Sequence, residues 1–128
     1  MGTRGRALHI GVDIVSVGRI ADLAAARIAA GERLFASVEL KRADSLKGER
    51  RAEFLAGRFA VKEAFAKAVG TVRHIEPRHI VCAVGPSGQP ALKLGATAQA
   101  AMGRAGCTRG SVSISHDAGL AVAVVVLY

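Results

Sequence analysis

The sequence is poor in the side chains from which nucleic-acid surfaces are usually built. Its 128 residues include no tryptophan, one tyrosine and four phenylalanines. A groove that stacks unpaired bases needs aromatic platforms among its basic residues, and too few are present to make one. Cysteine is equally scarce. The two present, Cys82 and Cys107, form no CxxC pair, which argues against a disulfide scaffold or a thiolate zinc site and points to two reduced thiols in a cytoplasmic protein. Three prolines and no low-complexity tract argue against a disordered chain. Long apolar runs are missing too. "MGTRGRALHIGVDIV" lacks the apolar stretch of a signal peptide, and the closing "LAVAVVVLY" is too short to span a bilayer, so no membrane association is expected.

Acidic residues are the last shortage. Ten Asp and Glu stand against 18 Lys and Arg, a formal charge of +8. Such an excess draws a protein to anions: nucleic acid, phosphorylated small molecules or an acidic protein partner. The basic residues are dispersed from Arg4 to Arg109 with no block of like charge, so a DNA-gripping tail is not indicated. HExxH, GxSxG and GxGxxG are absent, and "GPSGQP" lacks the Gly-Lys-Ser/Thr ending of a phosphate-binding loop. Metalloprotease, serine-hydrolase and dinucleotide readings have no support.

What is present describes one domain, residues 1–128, with 51% hydrophobic residues to form a core. "ALHIGVDIV" (7–15) reads as a strand with Asp13 near its end. "RIADLAAARIAA" (19–30) is helical and stops at Gly31; "SVELKRADSL" (37–46) is a short helix with Ser37 as a candidate N-cap. The longest helix spans 48–70, and Gly57 inside it suggests a close approach by another backbone. Segments 78–84 and 90–94 form a hairpin, 96–106 a further helix, and 110–128 a pair of strands joined through "HDAG". The last strand is apolar on both faces and should be central in its sheet. This order predicts an α+β domain.

Several polar residues stand out. Glu63 falls in line with Phe59 one turn back and Lys67 one turn on, within "RFAVKEAFAKAVG" (58–70). Glu63 and Lys67 have the spacing of a solvated helical ion pair, worth only ~0.3–0.5 kcal/mol. Alternatively, Glu63 and Asp13 are two carboxylates from different elements, a pattern that suits magnesium completed by substrate phosphates. In "SISHDAG" the turn carries His116 and Asp117; His116 is either an ordinary polar turn residue facing water or a donor to phosphate or proton carrier. Arg19, Leu23 and Arg27 are spaced to form one helical stripe.

Three segments, "GVDIVSVGRI" (11–20), "FLAGRFAVKEAFAKAVG" (54–70) and "SVSISHDAGLAVAVV" (111–125), resemble in order and spacing the bacterial single-domain holo-acyl-carrier-protein synthases, a class of phosphopantetheinyl transferase. The resemblance implies transfer of the phosphopantetheine arm of coenzyme A to a serine of an acidic acyl carrier protein, releasing 3′,5′-ADP, in fatty-acid or polyketide synthesis. It implies a homotrimer with active sites between subunits, and magnesium, or manganese in its place, held by Asp13 and Glu63. Lys67 is implied to approach the coenzyme A phosphates, with Arg58 and His116 near coenzyme A as well. Glu63 and His116 compete for the role of serine base. Arg19 and Ile20 match the family's carrier-docking pair, and Arg27 extends that stripe. Asp117 departs from the usual Thr or Ser, so its contact with coenzyme A phosphate is open. The residues before the family's usual start, about 1–7, are expected to form a flexible extension. The competing readings are a catalytically silent carrier-binding module of the same fold, and a basic nucleic-acid-binding domain.

Overall fold

The computed structural model describes residues 7–128, so the extension expected over 1–7 lies, except for Ala7, outside the described residues. Strand β1 (His9–Ser16) runs directly into helix α1 (Val17–Ala29), followed by α2 (Ser37–Asp44) and α3 (Gly48–Val69). A short 3-10 turn at Pro77–His79 leads into the hairpin β2 (Ile80–Val84) and β3 (Pro90–Leu94), then α4 (Ala96–Arg104), β4 (Gly110–Asp117) and β5 (Leu120–Leu127). The strands form an antiparallel sheet of order β1-β5-β4 and a separate β2-β3 hairpin. The fold is α+β, with antiparallel sheets packed against helices.

β5 is the central strand, as its two apolar faces require. Ala121, Ala123, Val125 and Leu127 are buried on the helix side, while Val122, Val124 and Val126 remain half-buried on the other. Helix α3 lies across β1 and β5 and is buried on most of its circumference. Its closest approach to the sheet is at Gly11 of β1. A Cβ there would overlap the Ala64 carbonyl and stand 2.8 Å from the Ala68 amide nitrogen, so only glycine lets the helix backbone seat this deeply. At Gly57 the neighbour is a side chain rather than the backbone anticipated above. A Cβ would come within 3.0 Å of the His116 imidazole.

The α1 start is capped by Ser16, whose Oγ accepts from the Arg19 amide at 3.4 Å. Ser37 does not cap α2. It is the first helical residue, and Glu39 reaches back to accept from the Ala36 amide at 3.0 Å. One core cluster joins the middle of α3 to β5, β2 and α4 through Val61, Phe65, Ile80, Ala98 and Val125. The other joins α1 and the N-terminal half of α3 through Ile20, Ala24, Phe35, Leu55 and Phe59.

Candidate active site

Asp13 sits near the end of β1, opposite the small Ala123 of β5, with its side chain on the face that meets α3. Because Gly11 draws α3 against β1, Lys67 on the last turn of α3 reaches the strand. Its Nζ donates to Asp13 Oδ1 and to the Val12 carbonyl, both at 3.0 Å. Lys67 therefore turns to Asp13; among the described residues Glu63 joins no ion pair. The i,i+4 pair that the spacing allowed is not made, because Lys67 takes a carboxylate and a carbonyl of the neighbouring strand instead. The Asp13 side chain is 14% exposed, and its Oδ2 is buried with no hydrogen-bond partner. A buried carboxylate oxygen without a donor is costly; Glu39 Oε2 shares that state beside Lys62, but Asp13, next to the exposed Lys67, is the one open to a further cation. Half-buried Glu63 lies one turn before Lys67 on the same stripe of α3 and lines, with Arg27, Lys62, Ile75, Pro77 and Ile80, a cleft of about 60 Å³. Asp13 does not line that cleft; what connects the two carboxylates is Lys67, bonded to Asp13 and one turn from Glu63 on α3. Two carboxylates are the donor type a divalent cation takes along with waters and substrate oxygens. Among the described residues no three His, Cys, Asp or Glu side chains converge into a metal cage, so a cation here would depend on water and substrate for its other ligands.

The remaining candidates lie toward the N-terminal half of α3. His116 packs over Gly57, and its Nε2 is 3.0 Å from the Glu53 carbonyl oxygen, which accepts the hydrogen bond. The helix carries this contact two turns, about 10 Å, from the level at which Gly11 meets Ala64. His116 thus stands apart from the Asp13–Lys67 pair within one chain. Arg58 lays its guanidinium over the Phe54 ring at 4.4 Å, and its buried Nε has no partner. Asp117 is exposed at the end of β4, paired in register with Leu120.

On α1, Arg19 is exposed, whereas Ile20 is 2% exposed and belongs to the core cluster. The Arg-Ile pair therefore divides its work: only Arg19 presents a side chain outward, and Ile20 seats the helix. Arg27 is engaged by Glu32, its Nε 2.6 Å from Oε2, which weakens its case as a free docking cation.

The sequence reading passed over Lys62 and Glu39. The Lys62 ammonium is buried and donates to Glu39 Oε1 at 2.8 Å, to the Pro77 carbonyl at 3.0 Å and to the Ile80 carbonyl at 2.6 Å. Burial pushes its pKa below the ordinary lysine value, and the neighbouring Glu39 carboxylate opposes that shift. Burial likewise pushes the nearby Cys82 thiol up, with Arg58 opposing. The available signal was Lys62 itself, a lone cation in the apolar run "FAVKEAF".

The family model of the 4′-phosphopantetheinyl transferase superfamily matches residues 9–125. A holo-(acyl-carrier-protein) synthase of Frankia casuarinae is 38% identical over 117 residues, 91% of this chain and 93% of that protein. The chain belongs to the holo-acyl-carrier-protein synthase family. Solved structures agree. The synthase of Neisseria meningitidis superposes with a TM-score of 0.80 at 35% identity, covering 94% of this chain and 97% of its own. The synthase of Bacillus anthracis, in complex with coenzyme A (3′,5′-ADP), gives a TM-score of 0.76 at 36% identity over 93% of this chain and 94% of its own. Membership makes the chain an enzyme, and all three motif segments that carried the sequence resemblance fall within the matched span.

Proposed function

We propose that this chain transfers the 4′-phosphopantetheine arm of coenzyme A to a serine hydroxyl of an acyl carrier protein, with magnesium held by Asp13 and Glu63 and with release of 3′,5′-ADP. The observation that carries the metal reading is the orphaned, buried Oδ2 of Asp13 beside Lys67, one turn from Glu63. The bound cation would supply charge neutralisation at the pyrophosphate. Lys67, more than half exposed, is free to leave Asp13 and bind a phosphate oxygen. The serine oxygen attacks the phosphorus that carries the pantetheine arm, the bridging phosphorus–oxygen bond breaks, and the electron pair leaves on 3′,5′-ADP. Glu63 takes the serine proton. His116 is the less suitable base, because its ring is held by the Glu53 carbonyl and against Gly57, six residues before Glu63 on α3. That position, and the unpartnered Nε of Arg58, suit the adenosine 3′-phosphate instead. Asp117, exposed beside His116, adds a negative charge that would disfavour phosphate, so we assign it no contact.

An acidic carrier is the natural partner of a chain with a +8 charge, docking against Arg19 at the start of α1. A homotrimer is supported by the outer face of β1, where Ile10, Val12 and Ile14 are 61%, 52% and 61% exposed, with Leu8 just before the strand 64% exposed. An apolar stripe of that kind marks an interface. With α3 packed behind β1 and β5 beside it, the stripe offers a second copy a surface on the strand that carries Asp13. The double substitution Ile10→Glu, Ile14→Glu is expected to yield monomers in light scattering and to lose most transfer activity. A trimer of unchanged mass would exclude this face as the contact.

The reaction is tested by intact-protein mass of apo carriers, from fatty-acid and polyketide systems, incubated with this protein, coenzyme A and magnesium. The expected result is a gain of one phosphopantetheine arm, abolished by EDTA and restored by magnesium or manganese. No gain on any carrier by folded protein would favour the silent carrier-binding module.

A further inference from the structure

Lys62 and Glu39 form a pair with almost no solvent exposure, 3% and 1% for the side chains. An ammonium has three protons to donate, and here all three have acceptors: Glu39 Oε1 and the carbonyls of Pro77 and Ile80. No donor is left for a substrate. Glu39 in turn holds the Ala36 amide at the start of α2, and the Phe35 ring lies 5.4 Å from the ammonium. One buried charge therefore ties α3 to the entry of α2, to the 3-10 turn and to the first residue of β2.

A buried ion pair is seldom more stabilising than apolar residues of the same volume, so stability alone does not account for its place in this core. Its location does. Pro77 and Ile80, whose carbonyls Lys62 grips, line the same cleft as Glu63, and Lys62 is the residue that precedes Glu63. We propose that the Lys62–Glu39 pair is a positioning clamp that fixes the Pro77–Ile80 wall against α3 and so holds Glu63 in the arrangement in which its carboxylate meets the cation and the carrier serine. This rests on the reading of Glu63 given under Proposed function. Lys62 acts through Glu63; it touches neither substrate nor metal.

The test compares the wild-type protein with Lys62→Met and with the double variant Glu39→Gln, Lys62→Met. The double variant removes both charges, so no carboxylate is stranded in the core and folding is preserved if the single variant fails to fold. Mn²⁺ affinity is measured by electron paramagnetic resonance without coenzyme A or carrier, and kcat and KM for coenzyme A by the mass assay. The clamp predicts a 10- to 100-fold weakening of Mn²⁺ binding, the range seen when a residue orienting a ligand is lost. It also predicts a comparable fall in kcat, with KM for coenzyme A changed by less than about threefold. A purely structural pair would lower thermal stability and leave Mn²⁺ affinity and kcat per folded molecule unchanged; that result overturns the clamp. A wild-type protein that neither binds Mn²⁺ nor modifies a carrier overturns the reading of Glu63 beneath it.

Discussion

Glu63→Gln and Asp13→Asn will each lower the rate of phosphopantetheine transfer by about 10³-fold, roughly 4 kcal/mol of transition-state stabilisation, while the protein remains folded. Both changes keep side-chain volume and remove the charge that holds a divalent cation. The two variants should differ in detail. Glu63 joins no ion pair among the described residues, so Glu63→Gln removes a half-buried charge at little cost to the fold. Asp13→Asn weakens the contact with Lys67, a pair whose lysine is 57% exposed, and should cost no more than about 1 kcal/mol. The check is threefold: transfer rate by intact mass, Mn²⁺ affinity by paramagnetic resonance, and thermal unfolding. Loss of rate and of Mn²⁺ binding together, at near wild-type Tm, assigns both carboxylates to the cation. Glu63→Gln with a rate within tenfold of wild type would remove Glu63 from the chemistry and return the base role to His116.

The second large effect concerns packing. Gly11→Ala is expected to destabilise the protein by about 3 kcal/mol, a fall in Tm of roughly 10 °C for a chain of this size. The added methyl would meet the backbone of Ala64 and Ala68, which no rotamer change can relieve, so α3 must lift from β1. Lifting α3 also draws Lys67 away from Asp13, so the rate per folded molecule should fall with stability. Gly18→Ala is the control, because a Cβ there meets nothing within 4 Å. It lies in the first turn of α1 and should be neutral or mildly stabilising. Equal Tm values for the two variants would show that the approach of α3 to β1 is looser than the geometry implies.

Much of this was legible along the chain. Helix-favouring and β-branched compositions, bounded by glycines and turn residues, located the four α-helices and five strands of the described residues in order, because those preferences are local. The doubly apolar "LAVAVVVL" marked β5 as central, since only a strand covered on both sides tolerates that composition. The spacing of the motif segments carried the family, and with it Asp13, Glu63 and Lys67. Gly57 and Gly11 show the limit of such reading. Glycine in a pattern signals that something comes close, and the partner, an imidazole at Gly57 and a helix backbone at Gly11, is a property of the packed molecule.

The sequence alone determined the α+β order of elements and the family, because those depend on residue type and on the order and spacing of short segments. The family in turn singled out the carboxylates and the lysine proposed for the site. The tertiary structure decided which partner each charge takes. Lys67 bonds Asp13 across 54 positions of chain rather than Glu63 one turn away, and Lys62 is buried against Glu39 across 23. It also decided that His116 packs against Gly57 and not beside Lys67, that Ile20 faces inward, and that one side of β1 is left apolar and exposed. The physical reason is common to all of these. Burial and Coulomb energy depend on distance in space, and chain order constrains that distance only within an element.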